Sequence, residues 1–215
     1  MQKLVIDTNI FFNLEEIKDL GKNTNEVMDN LSKIFSNLAK SGVLEVYIPH
    51  SVWEEILSFF DKKTDELKKL ATSVHLKTPQ REKINIPGSV LHDLLSEFRK
   101  RSYRGMKIAE EEIRNACHKL SEKRQDSSSK KDFELALAPF LKNLRERYRN
   151  ALRTKFIDST ADLDLLLLAK ELDATLITTD QGLLIWAKRL GVKTLPAHLL
   201  KKKLLSLKSW TPRLV

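Results

Sequence analysis

Apolar residues along this chain change period several times, and each change marks an element. Residues 3–6 are a short, mostly apolar run that stops at Asp7, and residues 43–48 are a β-rich run closed by Pro49, so both predict strands. Between them, Val27, Leu31, Ile34 and Leu38 recur at three- and four-residue steps, and Ser41-Gly42 supplies a stop. That spacing predicts a helix over residues 26–40 and hence a β-α-β unit. Directly after Pro49, residues 51–60 place Val52, Ile56, Phe59 and Phe60 on one face of a second helix.

The far end repeats the alternation. Residues 163–172 predict an apolar-rich helix, 174–179 a buried strand, 183–190 another helix and 192–195 a last strand. Strands alternating with helices imply an α/β fold, with a parallel sheet covered by helices on both faces and with both ends of the chain in one sheet.

The middle has no strand signal. Leu91, Leu94, Leu95, Phe98, Ile108, Ile113 and Leu120 form one long helical pattern, and Leu137, Leu141, Leu144, Tyr148 and Leu152 form a second. The polar stretch 121–131, with Gln125-Asp126-Ser127-Ser128-Ser129, joins them. The expected organisation is a helical hairpin at residues 87–153 inserted into an α/β domain built from residues 1–86 and 154–215.

Composition narrows the setting. A chain of 215 residues can bury one core and carry an insertion without disulfide support. Cys117 is the only cysteine, which excludes an internal disulfide and a cysteine-built zinc site. The opening MQKLVID puts Asp7 where a signal peptide needs its apolar run, and no stretch approaches the ~20 apolar residues of a membrane span, so a cytoplasmic location with no membrane partner is expected. A net charge of +9 favours a polyanionic partner, nucleic acid first.

Candidate chemistry lies in the acids. Asp7 and Asp180 each close a predicted strand, and in an open parallel sheet both fall at the carboxyl edge, where ligands bind. Asp162 opens the helix that feeds the second of these strands. Asp158 lies four residues earlier, so a helical continuation stacks it with Asp162, and Asp164 follows two residues later. Glu54 and Glu55 offer a further carboxylate from the helix after Pro49. Each acid also has a plain structural use: Asp180 before Gln181-Gly182 suits a helix cap, Asp162 after Ser159 suits a capping box, and Glu55 suits a solvated helix face. Clustered carboxylates repel one another unless divalent cations neutralise them. Hard oxygen ligands select Mg²⁺ or Mn²⁺, and the five scattered histidines show no ligand pairing. Two such ions would suit phosphodiester hydrolysis without a covalent intermediate. On the second hairpin helix, Lys142, Arg145, Arg149 and Arg153 make a cationic ridge, and Arg99, Lys100, Arg101 and Arg104 add charge on the first. The plain alternative is a solvated face with Glu146 pairing locally.

Three blocks carry a resemblance to the PIN-domain nuclease superfamily: Val5-Ile6-Asp7-Thr8-Asn9, Val52-Trp53-Glu54-Glu55-Ile56, and the run from Asp162-Leu163-Asp164 to Thr178-Thr179-Asp180. Asp173 departs from the pattern, since glycine is commoner before that strand. Within the superfamily the chain resembles the minimal RNA-free ribonuclease P family, through Tyr47-Ile48-Pro49-His50-Ser51-Val52-Trp53-Glu54-Glu55, the charged run from Leu144 to Arg153, and Ile157-Asp158-Ser159-Thr160-Ala161-Asp162. The resemblance implies a three-layer α/β/α domain with an inserted helical protrusion. It also implies magnesium-dependent removal of the 5′ leader of precursor tRNA, leaving a 5′ phosphate on the tRNA. By the same resemblance Asp7, Asp158, Asp162 and Asp180 form the catalytic set with Asp164 nearby, the protrusion reads the tRNA elbow, and dimers assemble into larger rings. Two other readings stay open on the residues: a PIN ribonuclease of toxin or RNA-decay type, and a non-catalytic RNA-binding scaffold.

Overall fold

A computed structural model of the chain describes residues 1–15, 18–60, 64–122, 130–157 and 159–208. It divides into two compact units, Met1–Ile86 with Ile157–Val215, and Pro87–Phe156. In chain order the first unit contributes β1 (Gln2–Ile6), α1 (Asn9–Phe12), α2 (Thr24–Lys40), β2 (Leu44–Ile48), α3 (His50–Ser58), α4 (Asp65–Ser73) and β3 (His75–Leu76). The second unit is α5 (Gly88–Glu122) and α6 (Lys130–Arg153). The chain then returns to the first unit with α7 (Thr160–Glu171), β4 (Thr175–Thr178), α8 (Gln181–Leu190), β5 (Lys193–Pro196) and α9 (Leu200–Lys208).

The strands form one parallel sheet in the order β3-β2-β1-β4-β5. β1 is the middle strand, so Leu4, Val5 and Ile6 are fully buried, as the continuous apolar run of a strand covered on both faces requires. Its pairing with β4, Ile6 opposite Ile177, unites the two ends of the chain. Helices complete a three-layer α/β/α domain of the PIN type. α7 is apolar nearly all round and buries Leu165 through Ala169, because it packs on β1 and β4 and also on α3 and α8. α2 starts with a reciprocal cap: Asn23 Oδ1 accepts from the Glu26 N–H at 2.9 Å while Glu26 Oε2 accepts from the Lys22 N–H at 2.9 Å.

Two turns are set by single residues. Gly191 ends α8 with φ +70°, the left-handed conformation that glycine tolerates best. Asp173 takes the matching place after α7 with φ +47°, which a short polar side chain can also adopt, and Lys193 Nζ meets its Oδ1 at 3.0 Å. The substitution of glycine by Asp173 is thus absorbed in the turn. Three helices and a strand go beyond the elements read from the sequence: α1 and the two-residue β3 have too few residues to show a period, α4 buries Leu67 and Leu70, and α9 buries Leu200 and Leu204 beneath the Lys201–Lys203 run.

In the second unit, α5 and α6 pack along a narrow seam of Gly105, Ile108, Glu112 and Ala116 from α5 and Ala151 from α6. Gly105 is needed there, since a Cβ would stand 2.5 Å from Tyr148 Cε2. Arg147 crosses the seam to Glu112 at 2.7 Å and Glu111 at 2.6 Å. The expected apolar stripes are wider than this seam. Leu95 and Phe98 are 61% and 60% exposed, and Leu141 and Tyr148 are largely exposed too, because one neighbouring helix covers only one strip of a helix surface. Of the polar stretch 121–131 expected to join the helices, residues 121–122 and 130–131 belong to α5 and α6, and residues 123–129 lie outside the described residues. Among the described residues no helix is long and apolar enough to cross a membrane.

Candidate active site

Parallel strands deliver their last residues to one edge, and the helices between them start at that same edge. Asp7 follows β1 there. Its N–H donates to the Ile177 carbonyl at 3.1 Å, which fixes it against β4, and its side chain is 3% exposed. Three donors hold the carboxylate: Thr8 Oγ1 to Oδ1 at 3.1 Å, Asn9 Nδ2 to Oδ2 at 3.0 Å, and Thr178 Oγ1 to Oδ2 at 2.6 Å. Burial pushes the Asp7 pKa above the ordinary carboxylate range, and these hydrogen bonds pull it only part of the way back.

Thr178 serves both strand-end acids. While donating to Asp7, its oxygen accepts the Asp180 N–H at 3.0 Å. Asp180 is exposed and caps α8, its Oδ1 accepting from the Leu183 N–H at 2.7 Å. The helix-cap use anticipated for Asp180 is therefore present. Asp162 is half-buried in the first turn of α7, where the Ser159 Oγ caps its N–H at 3.0 Å. Asp158 lies outside the described residues. Glu55, on α3, is exposed, yet its pKa is also raised, first by loss of water around it and then by the negative charge of Asp7. An acid whose proton affinity is raised by a neighbouring carboxylate is one whose repulsion a cation would relieve.

Two expectations are corrected here. Asp164 does not open toward a cation: it is 3% exposed, Arg81 Nη2 reaches both its oxygens at 2.8 and 3.0 Å, Arg81 Nε adds 3.1 Å, and Ser51 Oγ donates to Oδ2 at 2.8 Å. Its carboxylate instead locks the first turn of α7 to the first turn of α3 and to the turn at Arg81–Lys83. Arg101, expected to meet RNA, is turned inward within the second unit. It pairs with Glu97, donates to the Leu152 carbonyl at 3.2 Å and the Thr154 carbonyl at 2.9 Å, and lies over the Phe156 ring. A guanidinium so placed caps the end of α6.

The remaining expected cations are displayed differently. Lys142, Arg145 and Arg149 are exposed and line one shallow groove along α6, with Leu141 and Glu146 between them. Arg153 and Arg104 are exposed as well.

A divalent ion fits the donor set, which is made of carboxylate oxygens only. Among the described residues no three His, Cys, Asp or Glu side chains converge into a ready cage. Magnesium does not require one, since it is commonly held by one or two carboxylates and keeps several waters. Asp7 and Glu55, whose charges interact, could serve as such a pair, with Asp162 and Asp180 carried at the same sheet edge. Sequence reasoning missed Thr178, Ser51 and Arg81. Thr178 had a signal, a hydroxyl residue two places before a strand-end acid, whereas the partners of Ser51 and Arg81 are set only by tertiary packing.

Comparison with known proteins shows the family. The family model described as PINc domain ribonuclease matches residues 3–208. A relative from Thermodesulfovibrio yellowstonii, an RNA-free ribonuclease P, is 34% identical over 205 residues, spanning 95% of this chain and 94% of its own. Relatives of the same name from Nitrosococcus oceani and Methanocaldococcus jannaschii are 35% and 32% identical, covering 93% and 91% of this chain and 92% and 88% of their own. PIN nucleases generally depend on divalent metal ions. The chain is a ribonuclease and belongs to the RNA-free ribonuclease P family of PINc-domain proteins.

Proposed function

We propose that the protein removes the 5′ leader of precursor tRNA in one endonucleolytic cut that leaves a 5′ phosphate on the tRNA, with Mg²⁺, or Mn²⁺ in its place, as cofactor. The observation that carries the reading is the strand-end carboxylate of Asp7, buried and held by three donors in the middle of a parallel sheet, with Glu55 close enough to feel its charge. Asp7 and Glu55, with Asp162, Asp180 and Asp158, are the candidate ligands. Bound divalent ions supply positive charge at the scissile phosphate and acidify water for its attack. The chain's own part is orientation. Thr178 and Asn9 hold Asp7 Oδ2, and the Ser51–Asp164–Arg81 contact keeps the starts of α3 and α7 together, so that Glu55 and Asp162 present fixed carboxylates.

The second unit supplies RNA contacts. Lys142, Arg145, Arg149, Arg153 and Arg104 offer phosphate-binding charge on a rigid helical pair, which suits a folded RNA read by shape and backbone. Exposed Leu91, Leu95 and Phe98 on α5 support self-association, a dimer assembling into a larger homo-oligomer. The same reading has the protein working in the cytoplasm.

End-mapping of products from a labelled precursor tRNA with Mg²⁺ tests the reading. A single cut at the mature 5′ end is expected. Scattered or anticodon cleavage would replace it with a ribonuclease of toxin or decay type, and binding without cleavage would replace it with a scaffold.

A further inference from the structure

Phe59 is a large aromatic side chain that folding leaves 59% exposed. It follows α3 directly, one helical turn beyond Glu55, and its backbone is still helical at φ −80° and ψ −5°. Positions four apart on a helix share a face, so the ring stands on the side of α3 that carries Glu55, whose charge interacts with that of Asp7. The ring is also backed. Phe12 packs against it with centroids 4.3 Å apart and an interplanar angle of 38°, and Phe60 lies 6.3 Å from Phe12. Phe12 ends α1, the helix opened by Asn9, whose amide donates to Asp7. The helix whose first residue holds Asp7 thus also backs the aromatic ring, and α3 carries both Glu55 and that ring.

We infer that Phe59, supported by Phe12, is a stacking platform for the nucleobase immediately 5′ of the cut. This rests on the precursor-tRNA reading. A phosphodiester drawn to the acids carries one flanking nucleotide in the acceptor stem, where its base is stacked in a duplex, and one in the leader, where its base is free to splay out. Unpaired bases stack on aromatic side chains without regard to sequence, because every base has a π face. A platform of this kind places the scissile phosphate by gripping the leader, and it explains why a phenylalanine at this rim faces water while Val52 and Ile56 of the same helix are buried.

The test compares the wild-type protein with Phe59→Ala, Phe59→Leu and Phe59→Tyr on two precursor tRNAs, one intact and one abasic at the nucleotide 5′ of the cut. On the intact substrate Phe59→Ala and Phe59→Leu should lower kcat/KM by roughly 5- to 150-fold, the range of one lost base stack, and Phe59→Tyr should stay near wild type. On the abasic substrate the wild type and all variants should cut at similar rates. Phe59→Leu keeps an apolar contact for Phe12, so a loss shared by Ala and Leu, with unchanged melting temperature, separates stacking from packing. Equal rates for Phe59→Leu and wild type on the intact RNA, or the same loss on both substrates, would overturn the inference. A second readout does not need cleavage: 2-aminopurine in a single-stranded RNA should be quenched by the wild type and by Phe59→Tyr but not by Phe59→Ala. Quenching that persists in Phe59→Ala also overturns the platform, whereas failure of the wild type to cut at the mature 5′ end overturns only the ribonuclease P reading.

Discussion

The hydroxyl of Thr178 stands 2.6 Å from Asp7 Oδ2, joining residues 171 positions apart, and the same oxygen accepts the Asp180 N–H. One small side chain therefore ties the two strand-end acids to each other. Hydroxyls of this kind orient a carboxylate without adding charge, and loss of this one leaves Asp7 Oδ2 to Asn9 and takes the acceptor from the Asp180 N–H.

Thr178→Val keeps the shape and removes the hydrogen bond. Its expected effects are a loss of about 1–3 kcal/mol of stability by denaturant unfolding and at least a tenfold fall in single-turnover cleavage. Thr178→Ser should restore most of both. The acid limb of the pH–rate profile should also move to higher pH, since Asp7 loses a donor that holds its proton affinity down; an unmoved limb would argue against a positioning role.

Asp7 and Glu55 both bind protons more readily in the folded chain than in the unfolded one. A carboxyl with a raised folded pKa contributes stability that is fully present below its unfolded value and is lost as pH rises through the folded value. At neutral pH without divalent ions, Asp7→Asn should therefore melt at a higher temperature than the wild type, with the Asn amide oxygen still accepting from Thr178 and Asn9. Mg²⁺ should raise the wild-type melting temperature and leave that of Asp7→Asn nearly unchanged, and cleavage should vanish in the variant. Calorimetry in EDTA and in Mg²⁺ reads all of this, and a wild type indifferent to Mg²⁺ would count against the site.

Arg81 and Asp164 differ sharply in surroundings, the guanidinium being 58% exposed and the carboxylate 4%. Removing Arg81 leaves a buried, unpaired charge that only Ser51 still contacts. Arg81→Ala is expected to lower stability by about 1–3 kcal/mol, below the figure for a fully buried pair because water screens the Arg81 side. Arg81→Met combined with Asp164→Leu should recover much of that loss by replacing the pair with apolar groups. A thermodynamic cycle over the four proteins measures the coupling. Magnesium affinity should change little in Arg81→Ala if Asp164 is structural.

Arg145 and Arg149 should behave unlike Arg101. The double variant Arg145→Ala with Arg149→Ala is expected to weaken tRNA binding and reduce the slope of log affinity against log salt by about 1–2, with no change in melting. Arg101→Ala should instead lower melting through loss of its contacts with Glu97, Leu152 and Thr154. An equal salt slope in wild type and the double variant would remove the α6 groove from the RNA interface.

How much of this was legible in the sequence depended on the range over which each feature is set. β1, β2, α2 and α7 announced themselves, because a buried strand or helix writes its burial into neighbouring residues. The meeting of Asp7 and Asp180 was also readable, since both end strands of one parallel sheet. Asp164 was not. Its spacing from Asp162 looks the same whether its carboxylate faces a cation or Arg81, and the turn carrying Arg81 has no periodic signature. Arg101 failed for a related reason: a helix pattern shows which residues are charged but not which of them the neighbouring helix folds over. The apolar stripes of α5 and α6 were real, but a two-helix unit covers only part of each.

Because β1 finds β4 only after all the intervening chain, biosynthesis itself withholds activity. A nascent chain already carries Asp7 when its first strands can pair, but Thr178 and Asp180 leave the ribosome some 170 residues later. No truncated product that stops short of β4 can hold Asp7 as the finished enzyme does, so a nuclease made amid ribosomes and tRNA is born disarmed.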